Sequence, residues 1–234
     1  MKIAIMQPYF FPYLGYFQLI NAVDHFIIYD NIKYVKGGWI NRNRLMNNGS
    51  ISYFTVPIKK ASDSLNISQR EVAYGREYDR FKNKFQSRLI EAYRNANNYE
   101  KVFSIVEECL SYKSQNLFDF IHFSTKQVLN TLNIKTKITI SSKLDINQDL
   151  KSQNRIIAIC NHFKCSDYYN VSAGSYLYDK DFFKSNGIDL NFVKMDKVYY
   201  KRGHEPFVKD LSIIDFLMYH NQDVRNILQK YFII

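Results

Sequence analysis

The sequence is poor in cysteine, proline, glycine and tryptophan, with three, four, eight and one of them in 234 residues. Three cysteines (Cys109, Cys160 and Cys165) cannot all pair and show no secreted spacing. That excludes a disulfide framework and points to a reducing cytoplasm. No run of five like charges occurs, so there is no basic arm or acidic tail. Internal repeats and low-complexity stretches are also missing. The one long uncharged stretch, Ile3 to Val23, would reach across a bilayer on length alone. It is interrupted by Gln7, Pro8, Pro12, Gly15, Gln18 and Asn21, which suits neither a leader nor a spanning helix. The expectation is a cytoplasmic chain without membrane insertion.

Aromatic residues, by contrast, make up 16% of the chain, with 19 Tyr and 18 Phe against the single Trp39. Hydrophobic residues at 46% and charged residues at 23% match a globular protein and exclude a disordered or fibrous one. The length allows one large domain, or one with an appendage, and a core that needs no covalent staples. Lysine and arginine outnumber the acids 32 to 22, a formal charge of +10. A genome rich in A and T would produce this Lys, Asn, Ile, Tyr and Phe bias. An anionic partner such as a nucleotide, a phosphosugar or RNA would exploit it.

Residues 2–7 read as a short buried strand ended by Pro8, residues 14–23 as a helix, and residues 25–29 as a second strand. That is a βαβ opening, in which ligands meet the turn after the first strand. Residues 31–49 read as irregular or as a hairpin closing at Asn48-Gly49, followed by a strand at 51–58. From 74 to 132 the apolar period becomes helical, an insertion of about three helices. Strands at 137–141, 168–171 and 190–193 then alternate with helices at 154–160 and 179–185, and helices at 211–218 and 224–231 close the chain. The fold class expected is α/β, a mostly parallel sheet with helices on both faces and a helical insertion. Its parts are an N-terminal α/β half (1–73), the insertion (74–135) and a C-terminal half completing the same domain (136–234).

Four segments could carry chemistry. In the turn around residues 6–17, Gln7 ends a buried strand and needs a partner, Tyr13 and Tyr16 flank Gly15, and a helix start offers N–H groups to an anion. Phe10, Phe11 and Phe17 read as core. In residues 29–44, Asp30 and Asn31 follow the second strand; Lys36, Arg42 and Arg44 can pair with phosphate or carboxylate; Trp39 can stack on a ring. If extended there, the chain puts Asn41 and Asn43 on one face and Arg42 and Arg44 on the other. Cys160, His162 and Cys165 are too few and wrongly spaced for zinc and read as free thiols, so no metal is expected. Asn170 and Ser175 belong to a small-residue loop friendly to anions. His204-Glu205-Pro206 reads as loop, Asp210 as a helix N-cap, and His25, His122 and His220 carry no functional claim.

Met6-Gln-Pro-Tyr-Phe-Phe-Pro-Tyr-Leu-Gly-Tyr-Phe-Gln-Leu-Ile20, Trp39-Ile-Asn-Arg-Asn-Arg44 and Phe207-Val-Lys-Asp-Leu-Ser-Ile-Ile-Asp215 resemble the WbqC-like family. Arg155 to Cys160 and the loop from Asn170 to Tyr178 are also similar; the family's usual Gly pair is Ala173-Gly174 here. The resemblance implies work on a nucleotide-linked sugar in bacterial surface-polysaccharide synthesis. At fold level, Tyr13-Leu-Gly-Tyr16 also looks like the place where nucleotidylyl-transferase-type enzymes carry His-x-Gly-His. The function expected is transfer of an acyl or aminoacyl group to the amine of a nucleotide-linked amino sugar. Asp30, Tyr16 and Gln7 would be catalytic; Tyr13, Asn31, Lys36, Trp39, Asn41, Arg42, Asn43, Arg44, Asn170 and Ser175 would bind. Aminoacyl-tRNA is one donor that would suit the charge. The alternative is a non-catalytic protein that binds nucleic acid or carbohydrate.

Overall fold

In the computed structural model, Ile3 and Ile5 face one side of the first strand and Ala4 the other, and all three are buried. The structure describes residues 1–196, 198, 200, 202, 208–220 and 224–234. In chain order these form β1 (Lys2–Met6), α1 (Leu14–Asn21), β2 (His25–Ile28), β3 (Arg42–Asn47), β4 (Ser50–Thr55), α2 (Arg76–Tyr93), α3 (Tyr99–Ser111) and α4 (Leu117–Thr131). There follow β5 (Lys137–Ile140), α5 (Ser152–His162), β6 (Asp167–Val171), α6 (Lys180–Ser185), β7 (Asp189–Met195), α7 (Ile213–Tyr219), α8 (Val224–Leu228) and β8 (Tyr231–Ile233). His204, Glu205, Pro206 and Phe207 lie outside the described residues.

Among the described residues, six strands make one sheet in the order β5-β2-β1-β6-β7-β8, parallel throughout except for the β7–β8 pair. This is an α/β fold. The alternation of side chains feeds two cores. Ala4, Phe26, Ile28, Tyr169 and Val193 pack under α1, α2 to α4, α7 and α8. Ile3, Ile5, Ile27, Tyr168 and Phe192 pack under α5 and α6, against Ile156, Ile159, Cys160 and Phe183. Strands covered on both faces must be apolar at successive positions, as Ile3-Ala4-Ile5 of β1 and Phe26-Ile27-Ile28 of β2 are. Among the described residues no helix is long and apolar enough to cross a membrane.

The hairpin of β3 and β4 turns at Asn48 and Gly49, whose φ values of 47° and 73° both lie in the left-handed region. Asn and Gly tolerate that conformation and match the twist of a two-residue hairpin. Asn47 and Asn48 each donate to the Glu91 carboxylate, at 2.9 and 2.7 Å, which docks the hairpin on α2.

Two expectations change at the C-terminal end. The helix cap is Ser212, whose Oγ accepts the Ile214 N–H at 3.4 Å; Asp210 sits two residues earlier with φ 56°. The last helix stops at Leu228 instead of Tyr231, and Tyr231–Ile233 adds an antiparallel edge strand to β7. Aromatic and β-branched side chains in Tyr-Phe-Ile-Ile favour that extended form.

Candidate functional site

The strand order reverses at β1. From it the chain moves to β2 and β5 on one side, whereas β6 and β7 lie on the other. The connections leaving the carboxyl ends of β1 and β6 therefore run to opposite faces of the sheet and open a crevice, the usual ligand position in parallel α/β sheets. A cleft of about 740 Å³ lies there, lined by Met6 of β1, Val171 at the end of β6 with Ser172 and Ala173 after it, and Val193 to Met195 of β7. The first turn of α1, Trp39, Asn43, Arg44 and residues 208–211 complete it.

Its floor is the positive end of α1. Its N-cap Tyr13 makes no side-chain cap bond and no acid occupies its first turn, so its polarity is uncompensated within the helix. Gly15 is needed there: a Cβ would lie 2.4 Å from Tyr13 Cε2 and 3.1 Å from Met195 Cγ. Glycine thus lets the Tyr13 ring fold over the helix start. Burial, helped by Asp210 and Tyr9, pushes the Tyr13 hydroxyl up to about 12. Burial also raises Tyr9. Both phenols are therefore protonated donors near neutral pH.

The wall is held under strain. Buried Phe11 has φ 45°, an uncommon conformation for a bulky side chain. Its carbonyl accepts Asn43 Nδ2 at 2.7 Å and Ser212 Oγ at 2.9 Å. The Ile213 N–H bonds Pro12 O at 2.8 Å, and the Ser212 N–H bonds Arg44 O at 3.0 Å. Loop 8–13, β3 and segment 210–213 are so laced into one rim. On that rim Arg44 donates to the carbonyls of Asp210 and Lys209 at 3.2 and 3.3 Å and lies 5.6 Å from the Trp39 ring centre. Trp39 is 46% exposed, a large aromatic face open to solvent beside the cleft.

The sequence-predicted residues separate into groups. Tyr13, Trp39, Asn43 and Arg44 line the cleft. Lys36, Asn41 and Arg42 line a second cavity beside the hairpin. Asn41 is buried there, accepting the Tyr34 hydroxyl at 2.8 Å and donating to Val56 O at 2.7 Å. Gln7 and Tyr16 meet below the cleft: the fully buried Tyr16 hydroxyl donates to the Gln7 carbonyl at 3.1 Å, and burial holds its pKa well above the usual tyrosine value.

Asp30 and Asn31 belong to a different corner, at the ends of β2 and β5. Asp30 is buried and accepts the Ser142 N–H at 2.9 Å. Asn31 accepts from Ser141 Oγ at 3.0 Å and donates to Gln148 at 2.6 Å, and buried Arg155 binds Gln148 as well. Asn170 is buried against Tyr168 and its own next N–H, and Ser175 is exposed in the 172–177 turn. Cys160 and Cys165 are buried free thiols.

Sequence reasoning passed over Tyr9, Ser172, Lys194, Lys209 and the cleft side of Asp210. One signal was present: in a parallel sheet the ends of the other strands converge with the end of the first, so Lys194 at the end of β7 qualified.

Fold and cleft together define a parallel α/β protein with a ligand crevice at its switch point. The chain belongs to the WbqC-like protein family, whose profile matches residues 7–227. It is also 47% identical over 58 residues to the uncharacterized protein Rv1507c of Mycobacterium tuberculosis. That match covers 25% of this chain and 25% of the relative's length, so it carries the likeness of one segment. No solved structure matches.

Proposed function

We propose that the switch-point cleft holds a nucleotide-linked amino sugar and that the protein transfers an acyl or aminoacyl group to its amine, in bacterial surface-polysaccharide synthesis. The observation that carries this reading is the cleft itself. About 740 Å³ suits a ligand of nucleotide-sugar size, and the α1 terminus, Arg44, Lys194 and Lys209, set against Asp196 and Asp210, supply cationic groups for a diphosphate. Trp39 offers the stacking face, and Tyr9 and Tyr13 supply neutral donors.

In the reaction the amine nitrogen attacks the donor's acyl carbonyl. The new C–N bond replaces the bond to the leaving group, and the amine proton passes by way of Asp210 at the rim to the departing group, which leaves neutral with its bonding pair. The Tyr13 hydroxyl donates to the carbonyl oxygen as it becomes negative. Tyr16 and Gln7 enter this reading as supports below the cleft, and buried Asp30 enters it only as a brace of the separate corner at β2 and β5. Aminoacyl-tRNA is the donor to try first, because a +10 chain attracts a polyanion.

A thermal-shift panel of UDP- and dTDP-linked sugars, with and without an amino group, tests the acceptor. At about 100 times its dissociation constant a ligand adds roughly 2.7 kcal/mol, a rise of about 5–10 °C for a chain of this size. Mass spectrometry of the stabilising sugar with candidate donors then tests transfer. No stabilisation by any amino-sugar nucleotide refutes the acceptor, and stabilisation without mass gain for any donor favours a carbohydrate-binding role.

A further inference from the structure

A second cavity, of about 370 Å³, lies beside the β3–β4 hairpin and is separate from the switch-point cleft. Its lining includes Lys36, Arg42, Lys60 and Arg70, against Asp63 as a carboxylate. Lys59 is there too, but its charge is matched by Glu71 at 2.6 Å.

Arg70 is the decisive side chain. It is 5% exposed, and its backbone is fixed, the N–H bonded to Ile67 O at 3.1 Å and the carbonyl accepting the Leu117 N–H at 2.9 Å. The guanidinium lies 4.8 Å from the Tyr34 ring centre and donates one bond, from Nη1 to Ser62 O at 2.9 Å. Its Nε is buried without an acceptor, and it forms no ion pair with any described carboxylate. A buried, uncompensated guanidinium is costly unless an anion neutralises it. Around it, Arg42 is steadied over the Tyr53 ring at 4.1 Å, and Gly37, at φ 76°, leaves open space beside Lys36.

We propose that this cavity is a binding site for the diphosphate group of a small molecule. Four cations against one acid call for more than one negative charge, which a single carboxylate does not supply. The small volume suits a small ligand, whereas a nucleic acid would need a basic stripe extending beyond the hairpin. Arg42 and Arg44 lie two residues apart on one face of β3, about 7 Å at the usual strand rise. The site is thus a neighbour of the cleft, and its occupancy does not depend on the acyl-transfer reading.

The test is calorimetric titration of the whole chain with inorganic pyrophosphate at constant ionic strength, repeated with Lys36→Gln/Arg42→Gln, with Arg70→Gln and with the cleft variant Gly15→Val. We expect a saturable component of binding that is weakened at least about tenfold by the double variant and by Arg70→Gln, each removing charge-assisted bonds. That component should persist in Gly15→Val, which removes only pyrophosphate held in the cleft. If Arg70→Gln does not fold, the double variant decides.

Absence of saturable binding, or unchanged binding in the double variant, overturns the proposal. Loss of binding confined to Gly15→Val moves the anion to the cleft and overturns it as well, while leaving the nucleotide-sugar reading standing. A short single-stranded RNA that binds where pyrophosphate does not assigns the cavity to a nucleic-acid backbone and overturns the small-molecule site.

Discussion

Removing the carboxylate of Asp215 is expected to be among the most damaging single changes in this chain. Asp215 is fully buried. Its oxygens take Nε of Arg202 at 2.9 Å and Nη2 at 2.7 Å, the Tyr93 hydroxyl at 2.8 Å and the Tyr200 hydroxyl at 2.6 Å. Arg202 is itself 3% exposed, so the pair is shielded from water. Asp215→Ala removes the carboxylate paired with a buried cation and takes that acceptor from two phenol donors.

Breaking a buried pair from one side costs about 3–5 kcal/mol. At about 2–4 °C per kcal/mol for a chain of this length, the melting temperature should fall by roughly 6–20 °C. The charge, more than the lost contacts, is the cause. Arg202→Met should therefore be costly alone yet relieve Asp215→Ala when combined, with a coupling of about 2–3 kcal/mol in a double-mutant cycle. Urea denaturation followed by circular dichroism measures all four forms. The reasoning fails if Asp215→Ala costs less than about 1 kcal/mol, or if the two single effects add without coupling.

Further outcomes follow from the same geometry. Gly15→Ala places a methyl 2.4 Å from the Tyr13 ring, so ligand affinity in the cleft should fall while circular dichroism stays native; unchanged affinity would remove Tyr13 from the site. Asn43→Ala frees the Phe11 carbonyl from its 2.7 Å bond and should cost about 1–3 kcal/mol in denaturant melts. Burial, followed by Lys126, lowers the His122 pKa to about 4, so the folded protein keeps this ring neutral. The unfolded chain takes up the proton below about 6.5, so this contribution to stability, complete above that pH, is lost as pH falls toward 4. Melts across that range should show a weaker acid slope in His122→Gln; an identical slope would assign the loss to other groups.

Much of the architecture is legible in sequence because it rests on local patterns. Alternating Ile3, Ala4 and Ile5, the Asn48-Gly49 turn and the helical stripes of α2 to α4 each state their own structure. The edge strand β8 is less legible, since Tyr231–Ile233 gains its form by pairing with Met195 to Val193. The site is harder for the same reason. Nothing local in residues 2–6 says that β6 will lie beside them, yet that pairing of Ala4 with Tyr169 creates the crevice. Sequence reasoning finds the turn after β1 and then collects polar residues by proximity in the chain. The fold instead sends Asp30 toward Ser142, Arg42 toward the hairpin cavity and Arg44 to the cleft rim.

The three motif blocks that carry the family likeness meet at one carbonyl, that of Phe11, and its neighbour Pro12. The Met6–Ile20 block contains the strained Phe11, and the Trp39–Arg44 block contains the Asn43 amide that holds it. The third block adds Ser212 Oγ to the same carbonyl and Ile213 N–H to Pro12. Without these bonds a buried carbonyl would lack donors and the left-handed Phe11 would relax toward the extended region favoured by aromatic residues. Pro12, Tyr13 and Gly15 would then no longer set the start of α1 at the end of β1. The motifs therefore specify the position of a helix terminus and of the cleft above it, and the groups that touch a ligand are carried by that frame: Tyr9 and Tyr13 from the first block, Trp39 and Arg44 from the second, and Lys209 from the third.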